Sequence, residues 1–129
     1  MTMIKMENIF LIKSEENLCI AELAFERECY NASVNRAYYA VLQAAIAALE
    51  KEGIKEERIN HAWVQSEFNG KLIKRRKKYP SKLKSTLTEL QLSRNIADYK
   101  NKCISKKIAF KRLASAKEMI DIIKKELKR

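Results

Sequence analysis

The sequence predicts an all-α protein, a single domain of residues 1–129 folded as an up-and-down bundle of four to five helices. Three observations favour this class. Apolar residues recur at the three- and four-residue steps of a helix along most of the chain. Two glycines and one proline leave little material for hairpins or long loops. Hydrophobic residues make up 47% of the chain, which is enough to fill the core of one bundle.

The first helix is predicted from about Glu7 to Glu28, where Leu11, Leu18 and Phe25 recur every seven residues. That stripe is expected to pack on the second helix. The N-terminal residues lack a sustained apolar run followed by a small-residue cleavage site, so no signal peptide is predicted.

The second helix, within Asn31–Glu50 (NASVNRAYYAVLQAAIAALE), is predicted to be the centre of the bundle. It is apolar around most of its girth, and such a helix is normally buried among others. It is too short and too polar at its ends to span a bilayer, so no membrane association is predicted. We expect Asn31 or Ser33 to cap its N-terminus and Gly53 to end it.

The third helix is predicted at about Asn60–Lys77, with Gly70 weakening its continuity, and the fourth at about Lys82–Tyr99, with Ser81 as its N-cap. The turn between them is strongly basic and is expected to bind nucleic acid. Its basic residues are Lys74, Arg75, Arg76, Lys77 and Lys78.

The fifth helix is predicted to begin after Ser105 and has the most regular pattern in the chain, since apolar residues alternate steps of four and three from Ala109 to Leu127. From Lys100 to the end there are eleven Lys or Arg and three Asp or Glu residues. The net charge of the whole chain is +11. Such a surface attracts polyanions, namely nucleic acid, an acidic partner or anionic lipid, although a lysine-rich surface can also serve solubility alone.

Arg94 stands where the apolar series of the fourth helix asks for a core residue, after Leu83, Leu87 and Leu90. Arginine is rarely buried without a partner, so this position requires an anion. One interpretation is an internal ion pair with Asp98, one turn further on. The other is an arginine at a concave face or dimer seam, where it is directed at a phosphate.

No metal and no cofactor are predicted. Cys19, Cys29 and Cys103 form neither a CxxC pair nor a zinc-type spacing and are expected to be reduced, as in a cytoplasmic protein. The sequence also lacks a glycine-rich phosphate-binding loop and the Glu-x-x-His pairs of a di-iron bundle.

Three stretches follow one another in the chain: NRAYYAVLQAAIAAL, a helix that starts at His61 and has Phe68 seven residues on, and SRNIADYK. In this order they resemble small prokaryotic HEPN domain proteins, specifically the subgroup that carries AYYA and R-x-x-A-D-Y. The resemblance covers nearly the whole chain. It implies a HEPN-like bundle that forms a homodimer, and a role in a toxin–antitoxin or antiviral defence module whose antitoxin is a nucleotidyltransferase.

The resemblance further implies a metal-independent endoribonuclease whose two protomers join their motifs in one basic cleft. In that chemistry the ribose 2′-hydroxyl attacks the adjacent phosphate, which requires a cation and a proton-transfer group. Arg94 matches the family's arginine and Asn95 its polar neighbour. The position of the family's catalytic histidine holds Tyr99, followed by Lys100.

Two functions therefore remain open. One is a ribonuclease built on Arg94 and Asn95 and assisted by Tyr99, Asp98 or His61. The other is a non-catalytic HEPN module that binds RNA or a nucleotidyltransferase, because tyrosine is a weak proton acceptor at neutral pH. A plain helical scaffold is a third reading.

Several residues carry a structural and a functional interpretation. His61, the only histidine, either packs or caps at the start of the third helix or reaches the Arg94 site. Tyr38 and Tyr39 either fill the core or line a nucleotide pocket. Arg36 is either a paired or exposed residue or a second anion contact; with Lys100 and the basic turn it completes the predicted nucleic-acid-binding set.

Overall fold

The computed structural model describes residues 8–129, which contain five α-helices, one π-helical segment and no strand. The elements are α1 (Ile9–Glu26), α2 (Tyr30–Lys51), α3 (His61–Glu67), the π-helical segment Phe68–Arg75 that continues α3, α4 (Lys82–Tyr99) and α5 (Lys106–Leu127). The predicted all-α bundle is confirmed. None of the described helices has the length and hydropathy needed to cross a bilayer.

α2 is the central helix, as predicted, and it contacts all the other helices. Its alanines allow close approach of neighbouring backbones. Ser14 of α1 donates a hydrogen bond to the Ala40 carbonyl (2.6 Å), and Ser33 donates one to the Ala21 carbonyl (2.8 Å). All four residues are fully buried, so these hydroxyls join α1 to α2 without leaving a polar group unpaired.

The α2–α3 connection does not reverse the direction of the chain as it would in an up-and-down bundle. His61 contacts Tyr38 in the N-terminal half of α2, whereas Arg76 contacts Glu52 just past its end. Residues 52–60 therefore run back along the bundle, and α3 is parallel to α2. α4 then returns antiparallel, so that the start of α3 and the end of α4 converge on the N-terminal half of α2.

The predicted N-caps of α2 are wrong. The helix begins at Tyr30, and neither predicted side chain caps it. Asn31 Oδ1 instead accepts a hydrogen bond from the Ile104 N–H (2.9 Å), and the Ser33 hydroxyl bonds to α1. Both polar groups serve contacts between elements that are distant in sequence. The predicted end of the helix is confirmed, because Gly53 has a φ of +78°.

The third helix is more irregular than predicted. Asn60 caps it, α-helical geometry ends at Glu67, and the π-helical segment begins at Phe68. Both Phe68 and Leu72 of that segment are fully buried, so the wider turns keep two large side chains in the core. Gly70 lies inside it, at the point where the sequence indicated weak continuity.

The remaining helix ends agree with the sequence in part. Ser105 caps α5 and accepts from the Ile108 N–H (3.2 Å), as expected. Ser81 precedes α4, but its side chain makes no capping hydrogen bond, so that prediction is wrong. Asn8 caps α1, and the predicted start at Glu7 lies outside the described residues.

Candidate functional site

Nine side chains meet where the N-terminal half of α2 faces the start of α3 and the end of α4. We call this group the Arg94 cluster. Its members are Asn35, Arg36, Tyr38, Tyr39, His61, Arg94, Asn95, Asp98 and Tyr99. Helical spacing supplies the local arrangement, because residues three and four apart on α2 and on α4 share a face.

Arg94 is the centre of the cluster, and its side chain is only 15% exposed. Nη2 donates to the Tyr39 hydroxyl (2.9 Å), and Nη1 donates to Asn95 Oδ1 (3.3 Å). Nε lies 3.1 Å from Asp98 Oδ2, an ion pair without hydrogen-bond alignment. A guanidinium carries five N–H donors, so these contacts leave donors for a further anion.

Three aromatic rings surround the Arg94 guanidinium. Its Cζ atom lies 5.3 Å from the ring centroid of Tyr38 and 5.5 Å from those of Tyr39 and Tyr99, within the range of cation–π attraction. Burial lowers the pKa of Arg94, but Tyr39, Tyr99 and the Asp98 carboxylate raise it by more, so the net shift is upward. Arg94 is therefore a permanent cation.

Arg36 is the second cation of the cluster, and its Cζ lies 5.1 Å from the Tyr39 ring centroid. Its Nε and Nη2 both donate to Asn35 Oδ1 (2.8 and 2.6 Å), and Nη1 donates to Asn17 Oδ1 (3.2 Å). Asn35 Nδ2 donates in turn to Asp98 Oδ2 (2.9 Å). The two arginines are thus connected through one amide and one carboxylate, and both contact Tyr39.

His61 lies in the same cluster. Its Nδ1 is 3.1 Å from the Tyr38 hydroxyl, and its ring centroid lies 5.8 Å from that of Tyr39. Burial and the positive charge of Arg94 hold the pKa of His61 below its usual value of 6.5. The imidazole is consequently neutral at pH 7, the form that accepts a proton. Asn60 makes the cap of α3, and His61 packs against the tyrosines.

The two adjacent tyrosines have different environments. Tyr38 is fully buried, and this burial raises the pKa of its hydroxyl, an effect that Arg94 partly opposes. Tyr39 is half-buried, and its hydroxyl faces Arg94. Tyr99 is 72% exposed. Tyr38 therefore belongs to the core, as the structural interpretation proposed, whereas Tyr39 and Tyr99 border solvent.

The basic turn Lys74–Lys78 is not part of the cluster. Arg76 pairs with Glu52 at the C-terminal end of α2 (3.2 Å). Between Tyr39 and that end, α2 advances about 18 Å. Lys100, which directly follows α4 and is exposed, is instead adjacent to the cluster.

Sequence reasoning missed the amides of Asn35 and Asn17. Asn35 joins Arg36 to Asp98, and Asn17 joins Arg36 to Gln43 (Nδ2 to Oε1, 2.7 Å). The available signal was the presence of Arg36 and Gln43 on an otherwise apolar α2, because polar side chains on a buried helix require partners.

The arrangement combines two cations, a neutral imidazole and phenol hydroxyls in one partly exposed cluster. Such a group can bind a phosphate and move a proton. Among residues 8–129, no group of three or more His, Cys, Asp or Glu side chains is arranged to hold a metal ion.

Comparison with known families agrees with this architecture. The HEPN domain model matches residues 8–127, which is nearly the entire described range. A comparison with curated proteins returned no match. The chain therefore belongs to the HEPN family.

Proposed function

We propose that this HEPN protein binds RNA and cleaves it without a metal ion, with Arg94 holding the scissile phosphate and His61 accepting the proton. The observation that carries the proposal is the placement of a neutral imidazole in the same cluster as a permanent cation. The family assignment supports a role connected with RNA.

The proposed reaction is an attack of the ribose 2′-oxygen on the adjacent phosphorus. A bond between the 2′-oxygen and phosphorus forms, the bond to the 5′-oxygen breaks, and the 2′-hydroxyl proton passes to His61. The leaving 5′-oxygen takes a proton from water. Arg94 and Arg36 stabilise the additional negative charge on the phosphorus oxygens, which is where preorganised cations contribute most.

We further propose that two copies assemble with their Arg94 clusters in one basic cleft. Leu92 is 58% exposed and Tyr99 is 72% exposed, and they lie seven residues apart on one face of α4. An exposed apolar residue beside the cluster is suited to such a seam. In this proposal the protein is a cytoplasmic component of a toxin–antitoxin or antiviral defence module, with a nucleotidyltransferase-type antitoxin as its partner.

A second candidate is a HEPN module that binds RNA or a nucleotidyltransferase without cleaving RNA. Two observations favour it. Arg94 is already paired with Asp98 and bonded to Tyr39. In addition, the exposed Tyr99 occupies the place at which the resemblance implies histidine.

An RNA-cleavage assay on the pure protein in the absence of divalent metal tests the proposal. We expect Arg94→Ala and His61→Gln each to lower the cleavage rate by a factor of about 100 or more. Tyr99→Phe is expected to retain activity. Arg76→Ala is the matched control for Arg94→Ala, since it removes an arginine that lies near the far end of α2.

Melting curves for the same variants separate function from folding. Arg94→Ala is expected to cost about 1–2 kcal/mol, since Asp98 keeps its bond from Asn35 and is partly exposed. Wild-type cleavage that survives both site substitutions would contradict the proposal. Absence of cleavage by a wild-type protein that binds RNA would establish the second candidate.

A further inference from the structure

We infer that single-stranded RNA extends from the Arg94 cluster over Tyr99 and binds the lysines of the α4–α5 connection and of the first two turns of α5. We call these lysines the lysine patch, and they are Lys100, Lys102, Lys106, Lys107 and Lys111. The inference rests on the proposed function and names the surface by which the site would hold its substrate.

The lysine patch is strongly basic. No Asp or Glu occurs between Asp98 and Glu118. All five lysines of the patch are exposed, and within residues 8–129 none of them pairs with a carboxylate. The next basic residues of α5 differ in this respect, because they are paired: Arg112 with Glu89 and Lys117 with Glu22. The patch therefore offers uncompensated positive charge to a phosphate backbone.

The patch is attached to the end of the bundle that holds the site. Ile104 in the connection is 7% exposed and packs in a small core with Val34 and Ala109. Its N–H is bonded to Asn31 Oδ1. The connection therefore has a defined position beside the start of α2, within a few residues of Asn35.

Exposed aromatic residues are adjacent in sequence to lysines of the patch. Tyr99 is 72% exposed, and the guanidinium of Arg94 lies 5.5 Å from its ring centroid. Phe110 is 61% exposed and stands between Lys107 and Lys111. Aromatic faces among lysines suit unpaired bases, which stack on them while the lysines follow the backbone. Bases of a duplex are already stacked, so this composition favours a single strand.

The basic turn Lys74–Lys78 lacks this combination. The aromatic residue next to it, Tyr79, is 6% exposed and packs on Phe68. Arg76 in its middle is paired with Glu52. The turn is therefore basic but offers no aromatic face, and it is far from Arg94.

Binding of a fluorescent 12-nucleotide 2′-O-methyl RNA tests the inference, because this probe lacks the attacking hydroxyl and stays intact. Fluorescence anisotropy would be measured over a range of salt concentrations. The patch variant K100S/K102S/K106S is compared with the turn variant K74S/R75S/K78S. Each variant loses three positive charges. We expect the patch variant to bind about tenfold more weakly or worse, with a salt dependence reduced by about 2 in logarithmic slope.

The turn variant is expected to bind within about threefold of wild type, since its lysines do not contact the strand. Tyr99→Ala is expected to lose about tenfold in affinity, and Tyr99→Phe is expected to retain it, because stacking needs the ring and not the hydroxyl. Circular dichroism melts would verify that all four variants fold.

Equal losses in the patch and turn variants would overturn the inference, because binding would then follow net charge alone. A larger loss in the turn variant would overturn it as well. In both cases the proposed function would stand if unmodified RNA were still cleaved and Arg94→Ala abolished the cleavage. A wild-type protein that fails to bind the probe at low salt and fails to cleave RNA would overturn both.

Discussion

Arg94 is a cation at a position whose spacing calls for a core residue, and its neighbours explain how the fold accommodates it. The Tyr39 hydroxyl and the Asp98 carboxylate provide hydrogen bonding and opposite charge, and aromatic rings cover the guanidinium. The two interpretations of Arg94, an internal ion pair and a phosphate contact, are therefore compatible. The ion pair with Asp98 is present, and N–H donors remain for a phosphate.

The neutrality of His61 is the property on which the proposed chemistry depends most directly. As the only histidine in the chain, it gives a single imidazole signal in a proton NMR titration. We expect a pKa below 6.5 in the wild-type protein, because burial and Arg94 both disfavour the protonated ring. Arg94→Gln is expected to raise the pKa of His61, whereas Arg36→Gln, the control, leaves it unchanged.

The lowered pKa of His61 predicts how the stability and the activity of the protein depend on pH. Because the folded-state pKa is below the unfolded one, the folded state binds fewer protons between the two values. The stabilisation present above about pH 6.5 is therefore lost as the pH falls through the folded pKa, and cleavage by a His61 base declines over the same interval. A titration at or above the usual value, insensitive to Arg94, would contradict this account of the site.

At the scale of elements, the π-helical segment after α3 departs from α-helical geometry, and its large side chains are packed in the core. Phe68 and Leu72 are both fully buried within the π-helical segment. Such geometry is rare, and its wider turn must be compensated by the contacts it allows. The two glycines of the chain provide a direct comparison of backbone effects, since one lies in this segment and the other ends α2.

Gly70→Ala is expected to stabilise the protein by about 0.5–1 kcal/mol, because alanine restricts the unfolded chain. A Cβ at this position meets no atom within 4 Å, so no contact opposes the change. Gly53→Ala also has free space but is expected to cost about 1 kcal/mol, because its φ is +78°. Urea unfolding measures both, and destabilisation by Gly70→Ala would show that the π-helical segment needs glycine.

At the scale of the whole molecule, positive charge is concentrated at both ends of the bundle. One end carries the Arg94 cluster and the lysine patch, and the other carries the basic turn. Net charge alone would favour both ends equally as binding surfaces. The arrangement of aromatic rings and the position of Arg94 distinguish them, which is why charge-matched variants are the decisive comparison.

The proposed dimer leads to a prediction about exposed leucines. Leu92→Glu on α4 is expected to convert a dimer to monomers and to reduce RNA cleavage at least tenfold, because a buried unpaired carboxylate is costly at an interface. Leu23→Glu on α1 is the matched control, since Leu23 is 51% exposed and Leu92 58%. Light scattering after size-exclusion chromatography reports the mass. A dimer that survives Leu92→Glu would exclude this face of α4 as the seam.

The sequence predicted the regular helices well and the irregular features poorly. The predicted bounds of α4 and the cap of α5 agree with the structure, because uninterrupted apolar series and a capping serine act locally. The predicted N-caps of α2 were wrong, because Asn31 and Ser33 bond to Ile104 and Ala21. No local pattern distinguishes a side chain that caps its own helix from one that joins another element.

The features of the site also fall into those that the sequence predicted and those that depend on the tertiary structure. The sequence alone determined the all-α class, the central helix and the basic surface, and it offered the ion pair of Arg94 with Asp98 as one of two interpretations, because helical periodicity places residues four apart on one face. Only the tertiary structure decided which residues complete the site. Tyr39 reaches Arg94 across 55 residues, Asn35 reaches Asp98 across 63, and His61 reaches Tyr38 across 23. Such contacts depend on the direction and packing of whole helices, and in particular on the returning α2–α3 connection, which residue spacing does not encode.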